Sequence, residues 1–195
     1  MGKGFGIGLS SRNLLLLAGG IGIAPLVFVA QRAGSQHSIT LIHGAKMARE
    51  LYPLSSLVAL PHLRQRSNLS PLPTGVRFIP VTEDGSVGKK GVITDIVPDF
   101  LDWADQIYAC GPVDMYKAMA LTLNPSPLKG EGKGEGEQQS NLKLKKCQVS
   151  LEVRMGCGFG ACYSCTINTK KGLKQVCRDG PIFEFDDIIW EEVRI

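Results

Sequence analysis

Three cysteines fall within nine residues of one glycine-rich stretch, MGCGFGACYSC at 155–165, and a fourth follows in QVCRDGP. Cys157, Cys162, Cys165 and Cys177 thus stand in the order C-x4-C-x2-C-x11-C. Deprotonated cysteine is a strong ligand for soft metal centres. This order is the plant-type [2Fe–2S] arrangement, in which four thiolates wrap two irons and two sulfides. Gly156, Gly158 and Gly160 suit such a loop, because glycine lets it curl and brings backbone N–H groups toward the sulfurs. The gap to Cys177 is shorter than that pattern usually has. A four-cysteine zinc site is the main alternative, although zinc sites usually carry two short cysteine pairs rather than three thiols on one loop. A disulfide is the weakest reading for a sequence with no export signal.

Two other glycine stretches have the composition of ligand loops. In LLLLAGGIGIAP, Gly19, Gly20 and Gly22 follow an apolar run and precede a helix pattern. There a backbone could approach a pyrophosphate at a helix N-terminus. The order is not G-x-G-x-x-G, and a tight strand-to-helix turn that binds nothing also explains it. Cys110, Gly111 and Pro112 close another apolar run in YACGP. VTEDGSVGKKG could wrap a ribose or a nicotinamide, or form an acidic surface turn. Cys147 reads as a small core residue. His37, His43 and His62 show no ligand spacing and read as structural or surface residues. No Ser–His–Asp set or carboxylate pair stands out.

These loops need elements to hold them. Asn13–Ala18 reads as a fully buried strand, and APLVFVAQRA as a helix with Pro25 in its first turn. Further strands are expected in HSITLIHGA, GVRFIPVT and ADQIYACGP. Helices are expected within MARELYPLSSLVAL, GVITDIVPDFL and VDMYKAMALTL. Such alternation predicts an α/β fold, with a parallel sheet covered on both faces and ligands at the C-terminal strand ends. Residues 124–141, NPSPLKGEGKGEGEQQSN, read as a low-complexity linker or insertion, with a weaker echo at 68–75. Beyond it, KCQVSLEVRM reads as a strand, SCTINTKKGLKQVCRDG as a hairpin turning at Lys170–Gly172, and PIFEFDDIIW as a short strand or turn packed by Trp190. The expected organisation is a nucleotide-binding domain at 1–123, the linker at 124–141 and a small β-rich cluster domain at 142–195. A unit of that size often needs a metal to complete its core.

Composition adds limits. The net charge is +4 and hydrophobic residues make up 44%. No basic stripe with interleaved aromatics points to nucleic acid. The apolar run NLLLLAGGIGIAPLVFVA approaches membrane-span length but is broken by Gly19, Gly20, Gly22 and Pro25. The cytoplasm is the default location.

On these residues the chain resembles a known family. LLLLAGGIGIAPL, TEDGSVGKKGVITD and YACGPVDMYKAM look like the NAD-binding half of the ferredoxin–NADP reductase superfamily. The block MGCGFGACYSCTI with KQVCRDGPIFEFDDIIW is similar to the cluster domain of the electron-transfer subunits of dihydroorotate dehydrogenase B. The resemblance implies iron ligation by Cys157, Cys162, Cys165 and Cys177. It places Gly19, Gly20 and Gly22 beside the dinucleotide and Cys110, Gly111 and Pro112 on the nicotinamide side. It further implies an FMN-containing catalytic partner that oxidises dihydroorotate, with electrons passing through [2Fe–2S] and FAD to NAD+. The family's FAD-holding barrel, with its Arg-x-x-Ser/Thr signature, has no counterpart in these residues, so most of the FAD site is expected to be missing. Other readings are a reductase subunit of another enzyme of the superfamily and a zinc-stapled module without catalysis.

Overall fold

The computed structural model describes residues 2–8, 11–52, 75–123 and 146–193. The expected linker at 124–141 and most of the stretch at 61–75 lie outside the described residues. The helix expected within 47–60 also falls largely outside them, and its described part is a 3-10 turn at Ala48–Glu50.

Nine strands are described: β1 (Asn13–Gly19), β2 (Ser38–Ala45), β3 (Arg77–Thr82), β4 (Lys89–Lys90), β5 (Gln106–Cys110), β6 (Lys146–Ser150), β7 (Thr166–Thr169), β8 (Gly172–Gln175) and β9 (Ile182–Glu184). Helices are α1 (Ile23–Ala33), α2 (Ile93–Ile96), α3 (Pro98–Leu101), α4 (Val113–Leu123) and α5 (Val176–Asp179). Seven strands form one sheet in the order β4-β3-β2-β1-β5-β6-β9, and β7 and β8 form a separate hairpin. All neighbours in the large sheet are parallel except the β6–β9 pair. The fold is therefore α/β, with a parallel nucleotide-binding-type sheet and a small β-rich cysteine unit.

The apolar run dictates β1. Leu14 to Ala18 are each 0% exposed, as a strand covered on both faces requires. Leu14, Leu16 and Ala18 pack with α1 through Leu26, Val27 and Ala30. Leu15 and Leu17 lie in the opposite core with Ile96, Phe100, Tyr116 and Met119 of the later helices. That second core also takes in Ile167, Val176, Phe185, Ile188 and Trp190 from the cysteine unit. The sheet likewise continues past residue 142, since β6 pairs with β5 from Gln106↔Lys146 to Cys110↔Ser150. Burial explains this: Cys147 and Val149 are apolar residues that the sheet can cover. The strand expected over 146–155 stops at Ser150, because the Leu151 N–H turns to the Pro181 carbonyl and the chain leaves to form the cysteine loop.

The N-terminal segment lies extended over the α1 face. The Gly6 carbonyl accepts from Gln106 Nε2 at 3.1 Å and from the Tyr108 hydroxyl at 2.9 Å, and Gln148 Oε1 accepts the Gly6 N–H at 2.9 Å.

From β1 the chain builds outward through β2, β3 and β4, then returns to β5 on the other side of β1. The switch point thus lies between the C-terminal ends of β1 and β5, where Ala18 pairs with Cys110. Backbone contact closes this point from below. A Cβ on Gly22 would collide with the Cys110 carbonyl. A Cβ on Gly111 would meet Met115 Cε at 2.7 Å and Gly19 Cα at 3.0 Å. Gly22→Ala is expected to destabilise the protein by about 2 kcal/mol, the scale of overpacking in a rigid contact. Urea denaturation followed by circular dichroism measures this, and a change below about 0.5 kcal/mol would contradict the contact.

Candidate functional site

Two groups of residues converge from the sequence candidates. The first surrounds the switch point. Gly19 and Gly22 act mainly in packing the glycine loop onto the Cys110–Gly111 backbone. Gly20 is the open member: it is exposed, and nothing lies within 4 Å of where its Cβ would stand. Ile21 beside it is 78% exposed. The loop leads through a 3-10 turn at Gly20–Gly22 into α1, leaving N–H groups at the start of an 11-residue helix. Opposite it, Cys110 is buried and Pro112 is exposed. Burial, and then the charge of Glu152, push the Cys110 thiol up to about 11, so it stays protonated.

Sequence reasoning gave His43 no specific role, and the structure gives it one. It sits at the end of β2 beside Ala18, fully buried, and its Nε2 lies 3.0 Å from the Gly20 carbonyl. A carbonyl can only accept, so Nε2 carries the proton and donates. Nδ1 is then the unprotonated nitrogen, and it is buried with no hydrogen-bond partner among the described residues. The only sequence signal was a histidine placed between an apolar strand and a glycine. TEDGS forms a turn after β3: Asp84 Oδ1 accepts from the Ser86 N–H at 2.9 Å and from its hydroxyl at 2.6 Å, and Ser86 Oγ accepts the Ala48 N–H at 2.9 Å.

The second group is the cysteine loop. Left-handed backbone at Gly158 (φ 75°), Gly160 (φ 92°) and Tyr163 (φ 59°) coils the chain between Cys157 and Cys165. The Ala161 and Cys162 N–H groups point at Cys157 Sγ from 3.2 and 3.4 Å. The Cys177 N–H points at Cys165 Sγ from 3.5 Å. The Gly156 N–H goes to Ser164 Oγ at 2.9 Å rather than to a sulfur. Gln175, buried, holds the loop to the hairpin by donating to the Gly160 carbonyl at 3.0 Å.

Backbone hydrogen bonds link the four cysteines as two pairs, Cys157 with Cys162 and Cys165 with Cys177. Hydrogen bonds from the Cys162 and Phe159 amides pull the Cys157 thiol down to about 6, toward the thiolate. The Ser164 hydroxyl lowers Cys162 in the same way, while the neighbouring Cys165 thiol raises Cys177. Among the described residues no three His, Cys, Asp or Glu side chains converge as one ion requires. Paired thiols with amides aimed at sulfur fit a two-iron cluster, in which each iron takes two of the cysteines. Cys162 is exposed and Cys165 buried, so the loop lies at the surface with one edge in the core.

Burial lowers the pKa of His43, against a smaller opposing effect of the Gly20 hydrogen bond. The unfolded chain therefore takes up a proton first. Stability from neutral His43 is complete above its ordinary value of 6.5 and is lost as pH falls from there through the depressed folded value. His43→Gln keeps an N–H for Gly20 but does not titrate. Urea midpoints between about pH 5 and 7.5 should fall more steeply with acid in the unaltered chain than in this variant. Identical slopes would contradict the buried neutral imidazole.

Two family descriptions match the chain, one over each part. A family described as the oxidoreductase NAD-binding domain matches residues 16–120. A second, described as the iron–sulfur cluster binding domain of dihydroorotate dehydrogenase B, matches residues 152–189. A curated relative from Caldanaerobacter subterraneus subsp. tengcongensis, named dihydroorotate dehydrogenase B (NAD(+)), electron transfer subunit, is 31% identical over 97% of this chain and 64% of its own length. A relative of the same name from Listeria monocytogenes serotype 4a is 31% identical over 96% of this chain and 63% of its own length. The chain thus spans less than two thirds of the curated relatives it matches. A solved structure described for flavin-based electron bifurcation by an NADH-dependent reduced ferredoxin–NADP oxidoreductase superposes with a TM-score of 0.64. It is 26% identical and covers 93% of this chain and 55% of its own. The first of these matches runs from within β1 to within α4, over just more than half of the sequence, and by it the chain belongs to the family of oxidoreductase NAD-binding domains.

Proposed function

We propose that the chain is the NAD- and cluster-binding part of an electron-transfer subunit of a dihydroorotate dehydrogenase, acting in pyrimidine biosynthesis in the cytoplasm. Its partner would be the FMN-containing catalytic subunit that oxidises dihydroorotate. The observation that carries the reading is the cysteine loop: two thiol pairs with amides directed at sulfur, on the same core as a nucleotide-type sheet. When bound, [2Fe–2S] would carry single electrons, and FAD would convert them to hydride for NAD+.

The chain's own groups have distinct tasks in this reading. Cys157, Cys162, Cys165 and Cys177 would hold the irons. The Ala161, Cys162 and Cys177 amides stabilise negative charge on the sulfurs. Gly20 would face the dinucleotide and leave room for phosphate, with Gly19 and Gly22 packing the loop beside it and His43 holding the Gly20 carbonyl. Cys110, Gly111 and Pro112 would line the nicotinamide side, where a protonated, buried Cys110 thiol offers a small neutral surface. FAD has no barrel among the described residues, so its binding elements would lie outside them. Among the described residues no helix is long and apolar enough to cross a membrane.

The structural likeness to a reduced ferredoxin–NADP oxidoreductase supports one second reading, a reductase subunit of another enzyme of the superfamily. A dihydroorotate-oxidising FMN subunit separates the two. On the first reading it co-purifies with this chain and passes electrons to it anaerobically, and failure of both favours the second.

Cys162→Ser should lose the cluster, with iron falling to background, and should loosen residues 151–180, because metal binding here would be coupled to folding. NADH binding at the switch point, which contains none of the four cysteines, should remain within about threefold. A variant that keeps its iron and visible spectrum would remove Cys162 from the ligand set.

A further inference from the structure

The β5–β6 ladder ends at the pair Cys110↔Ser150. There the strands part. One continues into the Cys110–Pro112 turn, and the other runs through Leu151 toward Cys157. A single side chain fills the fork. The Tyr116 hydroxyl accepts the Gly111 N–H at 3.0 Å and donates to the Ser150 carbonyl at 2.7 Å, with the Ala109 carbonyl 3.4 Å away. The hydroxyl thus bridges a donor and an acceptor that the separating strands leave open. Tyr116 is fully buried. Burial holds its pKa well above the ordinary value, so the oxygen stays protonated and can both donate and accept.

The ring has a separate anchor. It stacks on Trp190 with centroids 5.0 Å apart and planes 28° from parallel, and Trp190 packs in turn on Phe185 at 4.9 Å. The Trp190 indole N–H donates to the Phe185 carbonyl at 3.2 Å. Phenylalanine would satisfy that stack. What tyrosine adds is the hydroxyl, and a buried hydroxyl is costly unless bonded. Here both bonds go to backbone at the roots of the two candidate sites.

We propose that Tyr116 is a positioning residue whose hydroxyl fixes the nicotinamide-side turn at Cys110–Pro112 against the strand from which the cysteine loop departs. This rests on the NAD and cluster reading given above. The hydrogen bonds of the Tyr116 hydroxyl go to backbone. It acts through Gly111 on one side and Ser150 on the other, and so sets the relative placement of the two sites.

Two variants of the full chain separate this role from packing. Tyr116→Phe removes the hydroxyl and keeps the ring. Trp190→Phe trims the stack and keeps the hydroxyl. The readouts are NADH affinity by fluorescence titration, iron per chain and thermal midpoint. Tyr116→Phe should weaken NADH binding about tenfold, the scale of one buried hydrogen bond, with iron unchanged. Trp190→Phe should lower the thermal midpoint while NADH affinity stays within about twofold. An affinity for Tyr116→Phe within about twofold of the unaltered chain, or an equal loss in Trp190→Phe, overturns the proposal. The unaltered chain's own binding of NADH tests the nucleotide reading separately. If it binds none, that reading falls and takes the inference with it.

Discussion

The parallel ladder between Gln106–Cys110 and Lys146–Ser150 joins the two halves of this protein. Without it, the nucleotide-type sheet would end at β5 and the cysteine unit would have little core of its own. With it, Cys147 and Val149 enter the same core as Leu15 and Ile107, and β9 closes the edge as an antiparallel strand. Trp190, Phe185 and Ile188 then cover that face from the C-terminal end of the chain. The cysteine loop therefore departs from a rigid strand and returns through a hairpin packed on the same core.

On the function proposed above, this arrangement suits electron transfer. Amides around Cys157 favour thiolate before any metal arrives. Left-handed backbone comes freely at Gly158 and Gly160 but is a local cost at Tyr163, which the hairpin offsets through the Thr166–Tyr163 contact, while Gln175 ties the loop at Gly160. At the other site the constraint is different. Backbone touches backbone between Gly22 and Cys110, so the two loops at the switch point hold each other in place. One buried histidine and one buried tyrosine fasten them from beneath.

Much of this was legible in the residues. The unbroken run Leu14–Ala18 announced a doubly covered strand, and the glycines between the cysteines announced a coiled loop there. Three things were not legible. That Lys146–Ser150 pairs with Gln106–Cys110 is a choice of neighbour, and alternation of apolar residues in one strand does not name its partner. The reason for each glycine was mixed: Gly22 answers to a backbone contact from a residue 88 positions away in sequence, whereas Gly20 answers to open space. The roles of His43 and Tyr116 come from carbonyls and amides at strand ends, and no side-chain pattern encodes those.

On the proposed reading, Cys157, Cys162, Cys165 and Cys177 hold a two-iron cluster. An anaerobic visible spectrum of the purified chain, with iron, acid-labile sulfide and zinc assayed on the same sample, tests it most directly. The account predicts broad visible absorption with about two irons and two sulfides per chain. A colourless protein carrying zinc would contradict it and leave a stapled module beside the nucleotide-type sheet.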